Sequence, residues 1–188
     1  MNFLAHLWLA DQTRTSLAGA ILGDVARGAD LTMYPDEIAL GIRLHRRVDA
    51  ATDRHPLVVA AREGFAQGRR RYAGIVLDLV CDHLLAGDWA RYSAEALPDF
   101  CQRAAVQIEQ AAPWFERAGG RAIEAPGFAR LLMSYAGPAG IEHAIGRTAR
   151  RMRQPQRLLD AASQWPDLAD AFRAGLPLLL DDLRRVSV

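Results

Sequence analysis

The chain has 188 residues, 51% of them hydrophobic and 24% charged, which excludes a disordered or fibrous protein and suits one globular domain over 1–188. Its net charge of +1 gives no general pull toward nucleic acid, and all 23 basic residues are arginine, the side chain that binds phosphate and carboxylate bidentately. Two widely spaced cysteines, Cys81 and Cys101, make neither a zinc motif nor a secreted disulfide framework, no charge-free apolar stretch approaches the roughly 18 residues of a membrane span, and the N-terminus lacks a basic leader, so the expectation is a soluble, cytoplasmic protein.

Helical spacing dominates and strand-like alternation is missing. Residues 2–10 predict a short apolar helix. Thr15 and Ser16 can cap a second, "LAGAILGDVARG", ended by Gly28. Pro35-Asp36-Glu37 is a good helix start, with proline in the first turn and acids at the positive end of the dipole, and that helix runs to Pro56. Further helices are predicted at 57–68, 74–89, 98–118, 126–136, 139–153, 155–163 and 167–185. The reading is all-α, with about eight to ten short helices and no internal repeat, linker or low-complexity segment.

The segment "GIVLDLVCDHLLAGDW" (74–89) poses a chemical question, because Asp78, Asp82 and His83 sit inside an apolar run. Asp78 and Asp82 share one helix face and His83 stands about 100° further round. Two carboxylates buried without compensation cost several kcal/mol, roughly, so a divalent metal or several arginines should face them. A second stripe, "RLHRRVDAATDRH" (43–55), puts His45, Asp49 and Asp53 at i, i+4 and i+8, flanked by Arg43, Arg46, Arg47 and Arg54. Asp53 and Arg54 read as a solvated, salt-bridged end of that helix, whereas His45 and Asp49 gain weight from the second acid–histidine set. Asp24 closes an apolar run, and Gly19 and Gly23 would let another helix approach closely. His6, among Phe3, Leu4, Leu7 and Leu9, reads first as a satisfied core histidine, and Cys81 as a buried small hydrophobe. Carboxylates and imidazoles from several helices suit Mn²⁺, Fe²⁺, Zn²⁺ or Mg²⁺.

"MNFLAHLWLA", "LGDVARG", "YPDEIALGIRLHRRVDAATDRHP" and "AGIVLDLVCDHLLAGDW" together resemble the acyl carrier protein phosphodiesterase family, in order and over roughly the first 90 residues; "ARRMRQPQRLLDAASQWPDL" looks like its basic segment. The resemblance implies an all-helical, HD-domain-like fold and a metal-dependent phosphodiesterase, with Mn²⁺ the usual ion, that removes 4'-phosphopantetheine from holo-acyl carrier protein. It carries over to Asp24, His45, Asp49, Asp78, Asp82 and His83, with Asn2 and His6 in the first block. Here Asp82-His83 reverses the order of a true HD motif, so ligands do not transfer from HD enzymes by position.

On that basis Asp24, His45, Asp78 and Asp82 are expected to hold the metal. Asp49 or His83 would orient or deprotonate water, and Arg46 or Arg47 would neutralise the phosphate. The acidic carrier should be steered by arginines, either Arg69, Arg70 and Arg71 or the run Arg147, Arg150, Arg151, Arg153 and Arg157. Two alternatives carry their own signatures: an HD-like hydrolase of a nucleotide or other small diester needs no protein partner, and a non-catalytic helical module binds no metal.

Overall fold

The computed structural model describes residues 1–187. Among them lie twelve α-helices, one 3-10 turn at Trp89–Arg91 and no strand. The helices are α1 (Phe3–Gln12), α2 (Leu17–Leu22), α3 (Asp36–Arg54), α4 (Pro56–Glu63), α5 (Arg70–Gly87), α6 (Leu97–Gln110), α7 (Ala112–Arg117), α8 (Ala125–Ser134), α9 (Pro138–Ala149), α10 (Pro155–Ala162), α11 (Trp165–Arg173) and α12 (Leu176–Ser187). None is long and apolar enough to cross a membrane.

The all-α reading holds, and the boundaries that moved have local causes. The helix expected over 98–118 is two, because Pro113 has no N–H to give the carbonyl of Glu109 and the chain turns at Ala111. Pro177 likewise separates α11 from α12 within the stretch expected at 167–185. Ser16 caps α2 as expected, accepting from the Gly19 amide at 3.1 Å. That helix stops at Leu22, however, well before Gly28. The turns that follow, Asp24 N–H to Ile21 and Val25 N–H to Leu22, swing Asp24 off the helix.

Two helices organise the rest. α1 is buried from Leu4 to Ala10 and touches α2, α3, α5 and α12; α5 receives α1, α4, α9, α10 and α11. A helix apolar all round belongs in the centre of a bundle, as α1 is. Arg103 of α6 ties this centre to its flank, donating to Glu95 and to Asp11 at the end of α1.

The tightest junction is between α2 and α3. A Cβ on Gly19 would stand 2.5 Å from the Ile38 carbonyl oxygen and 2.8 Å from the Cα of Gly41; one on Gly41 would meet the Ser16 carbonyl oxygen at 2.8 Å. The backbones therefore touch directly, as the small residues of α2 suggested, with Gly41 as the matching notch on α3. Gly41→Ala should lower the unfolding free energy by about 2–3 kcal/mol, because backbone has to move to admit one methyl. Urea unfolding followed by far-UV circular dichroism checks this, and an unchanged midpoint would contradict the close approach.

Candidate metal centre

The paired acids of α5 have separate tasks. Both oxygens of Asp82 accept backbone amides of α1, from Leu4 at 2.8 Å and Ala5 at 3.0 Å. These are N–H groups that the first turn of a helix cannot satisfy internally, so a carboxylate from another helix caps α1. Asn2 holds the cap position of α1 but makes no cap bond; its amide donates to the Tyr135 hydroxyl at 2.9 Å. Asp82 is fully buried, and burial pushes its pKa up to about 7 while the two amides pull the other way. The sequence reading placed Asp82 among the metal ligands; the start of α1 instead abuts it and occupies both oxygens.

What Asp82 anchors is the histidine that follows these two residues on α1. His6 is buried and stacks on His45 of α3, ring centroids 3.9 Å apart and planes 17° from parallel. Asp49, one turn beyond His45, faces both rings: its Oδ1 lies 3.1 Å from His6 Nε2 and its Oδ2 3.1 Å from His45 Nε2. Donor atoms of His6, His45 and Asp49 all lie within 4.8 Å of one another. Asp24 completes the edge, Oδ1 at 3.6 Å from His45 Nε2. Asp78 joins through the Met1 amine, which stands 3.1 Å from Asp78 Oδ1 and 3.3 Å from Asp49 Oδ1.

The tautomer of His45 is set by the main chain. Its Nδ1 lies 2.7 Å from the Ala20 carbonyl oxygen and therefore donates. A neutral His45 then turns the lone pair of Nε2 toward two carboxylates. That arrangement is repulsive unless a proton or a metal cation lies between them. Burial would lower the pKa of His45, but Asp49 and Asp24 raise it overall. Burial opposes ionisation of Asp49, yet hydrogen bonds from His45 and His6 hold it well below the usual carboxylate range. Burial drives His6 down to about 3, so its imidazole is neutral at physiological pH. Burial also raises Asp24 and Asp78. Two imidazole nitrogens converging on an ionised carboxylate, with a half-exposed second carboxylate beside them, form a donor set that fits a first-row divalent ion in place of the proton on His45 Nε2.

Gly23 shows how closely this is built. A Cβ there would fall 2.2 Å from Cγ of the His45 ring. The small residue that ends α2 gives the imidazole its room.

Other expected residues lie elsewhere. His83 points away from the centre: its Nδ1 is 2.7 Å from the Tyr135 carbonyl oxygen and its ring meets Trp165 edge to face at 5.1 Å. The 100° step from Asp82 turns it toward Tyr135 and Trp165, and it is not one of the converging donors His6, His45 and Asp49. Arg46 donates to the Ala26 carbonyl at 3.0 Å, tying down the loop that bears Asp24, and with Arg47 and Arg54 it lines a hollow of about 360 Å³ on the next face of α3. Asp53 pairs with Arg62 at 2.6 Å, the surface pairing expected of that helix end, although with a different arginine. Arg69 precedes α5, Arg70 donates to carbonyls of Phe65 and Glu63, and Arg150 ends α9. Cys81 and Cys101 are buried free thiols; burial raises both, Cys101 to about 12, and such thiols are inert as nucleophiles. His6 was the underrated residue: its apolar neighbours suggest core, and only its stacking on His45 shows a second nitrogen facing Asp49.

Two substitutions separate capping from ligation. Asp82→Ala strands two buried amides and should cost about 3 kcal/mol or more of stability, read from the urea midpoint. Gly23→Ala should displace the His45 ring and weaken Mn²⁺ binding more than about 10-fold by calorimetry, with helical content retained. Unchanged metal affinity in Gly23→Ala would remove His45 from the ligand set.

A family profile described as "Acyl carrier protein phosphodiesterase" matches residues 1–183. Relatives carrying that name are 46% identical over 110 residues in Photorhabdus laumondii, 49% over 109 in Yersinia pestis and 44% over 114 in an Enterobacter species. These alignments cover 57–60% of this chain and 56–59% of the relatives, so the chain aligns to just over half the length of the curated proteins it matches. No solved structure matches it. With a stacked histidine pair and its carboxylates in the N-terminal half and a profile match across nearly the whole length, the chain belongs to the acyl carrier protein phosphodiesterase family.

Proposed function

We propose that the chain is a metal-dependent phosphodiesterase that hydrolyses the diester joining 4'-phosphopantetheine to the serine of holo-acyl carrier protein. The observation that carries the reading is His45, whose Nε2 lies between Asp49 and Asp24 while its other nitrogen is fixed by a backbone carbonyl. His6, His45, Asp49 and Asp24 would hold the ion, with Mn²⁺ favoured and Mg²⁺, Fe²⁺ or Zn²⁺ chemically compatible. A divalent ion so held supplies Lewis acidity toward a phosphodiester oxygen and lowers the pKa of water.

The protein groups divide the remaining work. Asp49, kept ionised by His45 and His6, suits binding of a cation better than proton transfer. Asp78 is a third exposed, and burial raises its affinity for a proton; that fits it to accept one from the attacking water. Water oxygen bonds to phosphorus, the bond from phosphorus to the serine oxygen breaks, and that oxygen takes up a proton, releasing apo-carrier and 4'-phosphopantetheine. Arg62 is better placed than Arg46 or Arg47 to meet the phosphate charge. Its guanidinium lies against Gly74, one turn from Asp78, and is held by Asp53, one turn from Asp49.

Mass spectrometry of holo-acyl carrier protein after incubation with the enzyme and Mn²⁺ tests the reading directly. The expected result is loss of the prosthetic group, abolished by chelator and restored by added Mn²⁺. His45→Ala and Asp49→Asn should lower turnover by more than about 100-fold while keeping helical content. Full activity in either variant would overturn the site. Turnover of only a small synthetic diester, with the carrier untouched, would favour a small-molecule hydrolase.

A further inference from the structure

The proposed reaction needs a docking place for an acidic protein, and one feature outside the metal centre meets that need. The start of α5 and the segment joining α9 to α10 enclose a hollow of about 540 Å³, lined by Arg71, Arg151, Arg153 and Arg157 with Tyr72 and Met152. Five arginines outside it have carboxylate partners: Arg62 with Asp53, Arg103 with Glu95 and Asp11, Arg173 with Asp88, and Arg184 and Arg185 with Asp181 and Asp182. Among the described residues none of the four guanidiniums in the hollow has a carboxylate partner, and Arg71 rests over the Tyr72 ring at 4.9 Å. In a chain of net charge +1 this is a local concentration of unmatched positive charge.

We infer that this hollow is the docking site for the acidic helix of the carrier protein, an inference that rests on the function proposed above. Two observations favour a protein surface over a small polyanion. The first is position. Arg71 and Asp78 are seven residues apart on α5, which puts them on nearly the same face and about 10.5 Å apart along the axis. The Arg62 guanidinium, paired with Asp53, lies against Gly74 between them. The diester joins the arm to the carrier's own serine, so the carrier surface must come this close to Asp78 when the phosphate arrives. The second is composition. Tyr72 and Met152 give the hollow an apolar part, suited to a helix carrying apolar residues beside its carboxylates, whereas a phosphate cluster would have no use for it. The two arginine groups that the sequence leaves as rival docking surfaces thus contribute to one site, Arg71 from the first and Arg151, Arg153 and Arg157 from the second. Arg69, Arg70 and Arg150 are not among its lining residues.

Binding of fluorescently labelled apo-acyl carrier protein to the Mn²⁺-loaded enzyme tests this separately from catalysis, because the apo form keeps the acidic surface and has no diester. Arg153→Glu/Arg157→Glu and Arg71→Glu should each raise Kd more than about 10-fold and flatten its salt dependence. Arg130→Glu on α8 should change it less than about twofold, and hydrolysis of bis(4-nitrophenyl) phosphate should be unchanged in all of them. Wild-type affinity in the hollow variants, absence of carrier binding by the wild type, or tight pyrophosphate binding in the hollow that leaves carrier affinity untouched would each overturn the inference. Carrier binding that depends on the hollow, in an enzyme that leaves the prosthetic group attached, would keep the docking site and remove the proposed reaction.

Discussion

The arrangement depends on one carboxylate that caps a helix. Asp82 is fully buried, with each oxygen on an amide from the first turn of α1. A helix start surrounded by protein has no water to satisfy its free N–H groups, so without this acceptor α1 could not begin where it does. Where α1 begins decides where His6 sits, and His6 must reach Asp49 from the side opposite α3. A capping interaction therefore sets the spacing of the centre.

Within the centre, chemically similar groups are driven apart by their surroundings. Four aspartates lie in or beside it, and they fall into three states. Asp82 is held by amides, Asp49 is kept ionised by two imidazoles, and Asp24 and Asp78, nearer solvent, are raised by burial. The two histidines also differ. Burial keeps His6 neutral, while neighbouring carboxylates favour positive charge on His45. Groups separated in this way can hold a cation, receive a proton and support a helix at once without competing for the same role.

Much of this was legible in the sequence. The 3.6-residue period gave the helices, and the i, i+4 spacing of His45 and Asp49 placed both side chains on one face, where they meet. Gly19 and Gly23 were correctly read as marks of a close approach, although their partners, Gly41 and the His45 ring, lie on a helix the sequence cannot position. What misled was neighbourhood. Asp78 and Asp82 look alike in sequence, and only tertiary structure sends one to the Met1 amine and the other to the amides of α1. His83, one residue beyond Asp82, is carried round the helix to Tyr135. His6 has only apolar neighbours in sequence, so nothing local marks it for Asp49.

The bond from His45 Nδ1 to the Ala20 carbonyl has an evolutionary side. Histidines in metal sites are often oriented by a carboxylate or amide side chain, which a single codon change can delete. Here the orienting atom belongs to the peptide backbone, and every amino acid at position 20 would supply it. The proton on that imidazole is thereby insured against point substitution at its partner, and the vulnerability passes to whatever shifts α2 bodily: a bulkier side chain at one of its glycines, or an insertion in the short connection from α1.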